Sequence, residues 1–310
     1  MQRASISWLI GLVAIATAGA VLRPDAHGHR DHEAPHRHQA DVQAFIAGDA
    51  PAAEDDTVEY YDPSLFRHSI SCGSANNGAL YKGTELPLEG AGYTVPAPWS
   101  EREHNFGTDE LVSLIQRVAG AVAKAHPGAV LGVADLTGPQ GGKTRNHRSH
   151  QSGRDVDLMY YALDRDGSPF EPDHAFPWYD SYGRALVSTA PHEYPIKERY
   201  FDLERNWALV ELLLTDRYSV VERIFVSDQI ESWLLAYARK THVASDIIRR
   251  ATFVMMRPTN SSPHNDHMHV RIKCSIDDIA IGHCTDELAP RDTHDPVRCP
   301  AARPTVVLPD

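Results

Sequence analysis

From Leu111 onward, apolar residues recur three and four positions apart, at Leu114, Ile115, Val118 and Val122, which is the spacing of one face of a helix. Thr108 stands ahead of this stripe as a cap, with Asp109 and Glu110 in a first turn that favours negative charge. Pro127-Gly128 stops the helix. Ala129 to Leu136 then reads as a buried strand, and Thr137 to Arg154 as a glycine-containing loop. Asp155 to Tyr161 is rich in strand formers and predicts another strand, followed by a turn at Asp164-Arg165-Asp166-Gly167. Asp202 caps a second helix carrying Trp207, Val210, Leu213 and Leu214. Ile224-Phe225-Val226 is a short buried strand. Asp228 with Glu231 matches a capping box ahead of a helix bearing Ile230, Leu234, Leu235 and Tyr237. Thr252 to Met256 reads as a strand, Arg257 to Asp266 as a loop, and His267 to Ile272 as a strand of alternating character.

Two stretches lack such a period. Ser64 to Pro98 is loop-rich, with Gly78, Gly83, Gly90 and Gly92 marking turns. Within it, Asn76-Asn77-Gly78 and Tyr93 to Trp99 are expected to run over the surface. Ser168 to Tyr200 is a long irregular segment holding His174, Trp178, Tyr179, His192 and Tyr194; it either covers a cleft or is a surface excursion. Strands and helices mix without regular alternation and no internal repeat is present. The fold class expected is therefore α+β, a small, mainly antiparallel sheet flanked by helices, with the functional site on one sheet face in an open groove.

At 310 residues with 42% apolar content the chain can bury a sizeable core. A net charge of −12 and the lack of a basic block interleaved with aromatics argue against nucleic acid as a partner. Arg3 precedes an apolar run from Ile6 to Leu22, with Ala18-Gly19-Ala20 as a small-residue cleavage site. Residues 1–22 therefore read as an export signal, an uncleaved amino-terminal anchor being the alternative. Residues 23–63 form a linker rich in His, Ala and Pro, 64–300 the folded domain, and 301–310 a tail. In the linker, His32-Glu33-Ala34-Pro35-His36 formally matches a zinc-protease pattern. That pattern works only on a helix, and Pro35 lies inside the turn that would carry it. Cys72, Cys274, Cys284 and Cys299 contain no Cys-x-x-Cys spacing. In an exported chain they read as disulfides, of three connectivities that pairing Cys274 with Cys284 and Cys72 with Cys299.

The chemistry concentrates in two places. His147-Arg148-Ser149-His150-Gln151-Ser152-Gly153-Arg154-Asp155-Val156-Asp157 puts imidazoles and carboxylates around a glycine that can fold His150 back. On a strand, Asp155 and Asp157 point the same way. His264-Asn265-Asp266-His267-Met268-His269-Val270-Arg271-Ile272 places His267 and His269 on one strand face, Met268 and Val270 on the other. Imidazole nitrogens with a carboxylate suit a borderline cation such as zinc. Two such clusters at strand ends, far apart in sequence, are what a site assembled by folding needs.

These two segments resemble the penicillin-insensitive murein endopeptidases, zinc peptidases grouped with lysostaphin-type and D-alanyl-D-alanine enzymes. The group's pattern of His, six residues, Asp and a distant His-x-His is met by His150, Asp157 and His267-Met268-His269. The resemblance runs from about Ser64 to Pro300. It implies that Zn²⁺ is the cofactor, held by His150, Asp157 and His269, with His147 as an extra ligand or a hydrogen-bonding neighbour of one. It implies further that His267 is the general base and that His264 assists it. Asp155 would orient a ligand. The implied reaction is hydrolysis of D-alanyl-meso-diaminopimelyl bonds in the cross-link peptides of peptidoglycan, in the periplasm. The family's further cysteine pair has no counterpart here, and groove residues in Ser168–Tyr200 cannot be aligned. A zinc D-alanyl-D-alanine carboxypeptidase is the alternative, since one metal site serves both; a non-catalytic zinc or cell-wall binding module is a third reading. Neither an integral membrane partner nor an oligomeric state is indicated.

Overall fold

The site sheet owes its position to two strands, over residues 155–159 and 267–272, that are buried at nearly every residue. The computed structural model describes residues 69–172, 175–188, 196–259, 261–290 and 297–299. The signal, the linker, His174, His192, Tyr194 and the carboxy-terminal tail lie outside the described residues. The sheet contains β1 (Asp155–Met159), β2 (Val221–Phe225), β3 (Met255–Met256) and β4 (His267–Ile272), in the spatial order β3-β2-β4-β1. β4 runs antiparallel to both β1 and β2, while the short β3 is parallel to β2. Every residue of β1 is buried, the apolar Val156, Leu158 and Met159 along with both aspartates. The fold is α+β as expected, although the described residues also form four smaller sheets.

Four longer helices accompany the sheet, α1 (Asp109–Ala125), α2 (Leu203–Thr215), α3 (Asp228–Lys240) and α4 (Ser245–Val254), of which α3 and α4 pack against its strands. The Thr108 hydroxyl accepts from Leu111 N–H and the Asp202 carboxylate from Arg205 N–H, so both expected caps form. The α1 stripe, Leu111, Leu114, Ile115, Val118 and Val122, is fully buried. Each large side chain there contributes roughly 1.5–3 kcal/mol on leaving water. Helix α1 packs on α2, and α2 in turn on α3 and α4.

Several expectations need correction. The cap of α3 is Ser227, whose hydroxyl accepts from Ile230 N–H; Asp228 is the first helical residue, so no box with Glu231 forms. Thr252 to Val254 belongs to α4, and only Met255–Met256 is strand. The strand formers there are overridden by Ile247, Ile248, Ala251 and Val254, which pack at helical spacing against the core. Ala129–Leu136 is buried and extended but is no continuous strand: Leu131 N–H bonds Gly92 O, Val133 bonds Thr94 O, Ala134 bonds Asp157 O, and Leu136 bonds His104 O. The segment is shared among three neighbours, and only Leu131–Gly132 is regular strand. Tyr93, Val95 and Trp99 are core residues, against the expected surface path. The irregular Ser168–Tyr200 stretch contains Arg184–Ser188, paired antiparallel with Ile196–Phe201. Both disulfides, Cys72–Cys299 and Cys274–Cys284, form as expected. No helix among the described residues is long and apolar enough to cross a membrane.

Candidate metal centre

The antiparallel register of β4 on β1 sets His269 opposite Asp157, Arg271 opposite Asp155, and His267 opposite Met159. Alternation puts Asp155, Asp157, His267, His269 and Arg271 on one face, while Met268 and Val270 enter the core. The loop ahead of β1 supplies His147 and His150. Gly153 takes φ +77° and His150 itself φ 62°, and together these positive angles turn the loop back over the sheet. His264, at φ 55°, enters from the loop preceding β4. The fold brings together the six candidate residues His147, His150, Asp157, His264, His267 and His269, of which His147, His150 and Asp157 offer mutually close ligand atoms.

Asp157 is the centre. Its Oδ1 lies 3.3 Å from His150 Nε2, 3.5 Å from His269 Nδ1 and 3.6 Å from His267 Nε2, and its Oδ2 lies 3.7 Å from His147 Nδ1. Each of the three rings nearest to a ligand geometry is tied at its other nitrogen. His150 Nδ1–H donates to Leu136 O at 2.7 Å, His147 Nε2–H to Asp135 at 2.9 Å, and His269 Nε2–H to Asp155 at 2.7 Å. In the neutral ring this leaves the nitrogen facing Asp157 as a lone pair. Buried His150 Nε2 and Asp157 Oδ1 have no hydrogen-bond partner, and an orphaned pair of that kind fits a divalent cation. His147, His150 and Asp157 offer ligand atoms all within 4.8 Å of one another. This donor set, nitrogens with one carboxylate, suits zinc or a similar borderline ion.

The rest of the cluster is graded in exposure. His150 and Asp157 are buried, whereas the side chains of His147 and His267 keep 18% and 13% of their exposure and form the rim. Phe176 stacks on His267 with ring centroids 4.7 Å apart. His264 donates from Nδ1 to Ser262 O at 2.7 Å, and its ring lies 4.7 Å from that of His267. Asp155 accepts from both His269 and Arg271, each at 2.7 Å, so it orients His269 without reaching the centre.

Burial opposes charge on every group, and the neighbours decide the outcome. At His150 burial is the largest single influence, but Asp157, together with Asp155 and the bond to Leu136 O, overrides it and lifts the imidazole to about 9. His267 is raised in the same way. Asp157 is held well below the usual carboxylate range because His150 and His267 overcome its burial. At His269 burial prevails over the bond to Asp155 and pushes the ring down to about 4. Burial, then the charge of His267, lowers His264. A bound divalent cation would be the largest charge present and would invert these balances.

Three participants escaped sequence reasoning: Asp135, Arg102 and the Leu136 carbonyl. Asp135 had a signal, a carboxylate inside an otherwise apolar run; the other two had none. A cavity of about 250 Å³ lined by Tyr182, Tyr200, Phe201 and Trp233 lies elsewhere and includes none of the histidines.

Residues 71–295 match the family model described as penicillin-insensitive murein endopeptidase. Proteins of that name from Escherichia coli O157:H7 (strain EC4115 / EHEC), Escherichia coli (strain K12 / DH10B) and Shigella boydii serotype 18 are each 30% identical over 223 residues, covering 71% of this chain and 71% of theirs.

Proposed function

Since the chain belongs to the penicillin-insensitive murein endopeptidase family and is a peptidase acting on peptidoglycan, we propose that it is a zinc enzyme cutting D-alanyl-meso-diaminopimelyl amide bonds in cross-link peptides. His150, Asp157 and His269 hold the ion, with His147 as a further ligand at the rim. Zinc with three or four protein ligands supplies Lewis acidity at neutral pH. The observation that carries this reading is the set of three imidazoles whose partners leave their free nitrogens turned on one carboxylate.

His267 stands at the rim with Nε2 turned inward and Nδ1 2.9 Å from Asp266 Oδ1. It takes the proton of the attacking water and returns it to the leaving amine. His264, whose Nδ1–H donates to Ser262 O, keeps Nε2 as an acceptor that orients the attacking water. No serine takes part, so a penicillin finds nothing to acylate. The disulfides suit an oxidising compartment and residues 1–22 read as an export signal or an anchor, which supports a periplasmic enzyme.

The test uses purified cross-linked muropeptide dimers with mass spectrometry of the products. Chelation abolishes hydrolysis and zinc restores it. His267→Ala retains zinc but loses most turnover, at least about a hundredfold, whereas His269→Ala and Asp157→Asn lose zinc itself. Activity that survives chelation would contradict the reading. Release of terminal D-alanine alone would favour the carboxypeptidase.

A further inference from the structure

We propose that Asp135 is a positioning residue of this centre, acting through His147, whose ring it holds with Nδ1 turned toward Asp157. The inference rests on the metal reading above and adds to it a residue outside the family's ligand pattern.

The geometry is specific. Asp135 is buried at 2% exposure, in a segment otherwise filled by Val133, Ala134 and Leu136. Its Oδ2 accepts from His147 Nε2 at 2.9 Å and from Arg102 Nη1 at 2.7 Å. Its Oδ1 has no hydrogen-bond partner, with His104 Nδ1 3.5 Å away. Its backbone is engaged as well: Asp157 N–H donates to Asp135 O at 3.0 Å, and Ala134 N–H donates to Asp157 O at 2.8 Å. One residue is thus fastened by its peptide to the central carboxylate and by its side chain to the rim histidine. It sets the spacing between two groups that must converge on one ion.

A purely structural role explains less. The Arg102 side chain is 38% exposed, and pairs with so exposed a cation contribute little. Burying a carboxylate for that return is unfavourable. A carboxylate that fixes a ligand's tautomer and ring orientation has a reason to be buried. His147 needs such a brace because it stands on an irregular loop, where Thr144 Oγ1 accepts from its backbone N–H at 3.2 Å and its side-chain Nε2 is tied only to Asp135 among the described residues.

The experiment measures zinc affinity of the full chain by competition with a chromogenic chelator. Asp135→Asn is expected to weaken zinc roughly ten- to a hundredfold. In a His147→Ala background the same substitution should change it by less than about twofold, because the group it acts through is gone. Asp135→Glu should recover part of the loss. Equal losses in both backgrounds, or none in either, would overturn the proposal. Should Asp135→Asn fail to fold, ¹⁵N shifts of the His147 ring in the metal-free wild type decide: a neutral ring protonated at Nε2 supports the brace, and one protonated at Nδ1 refutes it. Wild-type protein that takes up no zinc would defeat the metal reading itself. Normal uptake that needs His150 but ignores Asp135 would defeat this inference alone.

Discussion

His150 and His264 sit at φ 62° and 55°, a region that ordinary side chains enter at a cost of roughly 1–3 kcal/mol. Each is held there through its own Nδ1, one bonded to Leu136 O and the other to Ser262 O. The same close packing gives the metal-free cluster a definite response to pH. His150 is raised from 6.5 to about 9, first against burial and then by Asp157. A histidine with a raised folded-state pKa binds more protons folded than unfolded between those values, so its contribution is complete below 6.5 and lost as pH climbs through about 9. His269 is lowered by burial from 6.5 to about 4, so the unfolded chain binds the extra proton and stability falls as pH drops through that window. His267 and His264 shift in the corresponding directions. Thermal unfolding of chelator-treated protein should therefore show greatest stability near about pH 6.5, declining on both sides. A steady rise in Tm from about pH 5 to about pH 9 would show that these histidines do not face one another as described.

At the scale of the element, the strand pairs were legible and their partners were not. Period-two alternation places His267 with His269 and Asp155 with Asp157, but only the register of β4 on β1 sets His269 across from Asp157. The α1 and α2 caps were likewise readable, because Thr108 and Asp202 stand alone before their apolar stripes. At α3 two good caps are adjacent, Ser227 and Asp228, and local chemistry does not choose between them. Tertiary packing chooses Ser227, whose N–H bonds His264 O and whose hydroxyl takes Ile230 N–H. Ser227→Ala should then destabilise the fold by about 0.5–2 kcal/mol, and Asp228→Ala, exposed and paired with Arg257, by less than about 0.5 kcal/mol. Urea unfolding of the two variants checks this, and the reverse order would restore the capping box. Asp135 was hidden for a related reason. It lies where an extended segment changes partner at nearly every step, and no local pattern announces that.

Across the whole molecule, the ends of the described domain meet behind the site. Arg154, 1% exposed and next to Asp155, donates to Ile272 O, Thr285 O, Asp286 Oδ1 and Ser71 Oγ at 3.0–3.2 Å. It joins the amino-terminal hairpin (Ile70–Ser74 with Asn77–Tyr81), the end of β4 and the carboxy-terminal segment. The Cys72–Cys299 bridge spans 227 residues across the same junction, whereas Cys274–Cys284 closes a span of 10 just beyond β4. A bridge over a long span mainly restricts the unfolded chain, and its loss typically costs about 2–5 kcal/mol. Yet among the described residues no ligand candidate bonds to either cysteine of the long bridge. Replacing Cys72 and Cys299 together by Ser should therefore lower stability by that amount and leave zinc affinity within about twofold. The two quantities separate because strand register and the Leu136, Asp135 and Asp155 anchors orient the histidines, while the bridge limits only the disorder of the unfolded state. A parallel loss of affinity in calorimetric titration would mean that the hairpin junction, through Arg154, holds β1 in register.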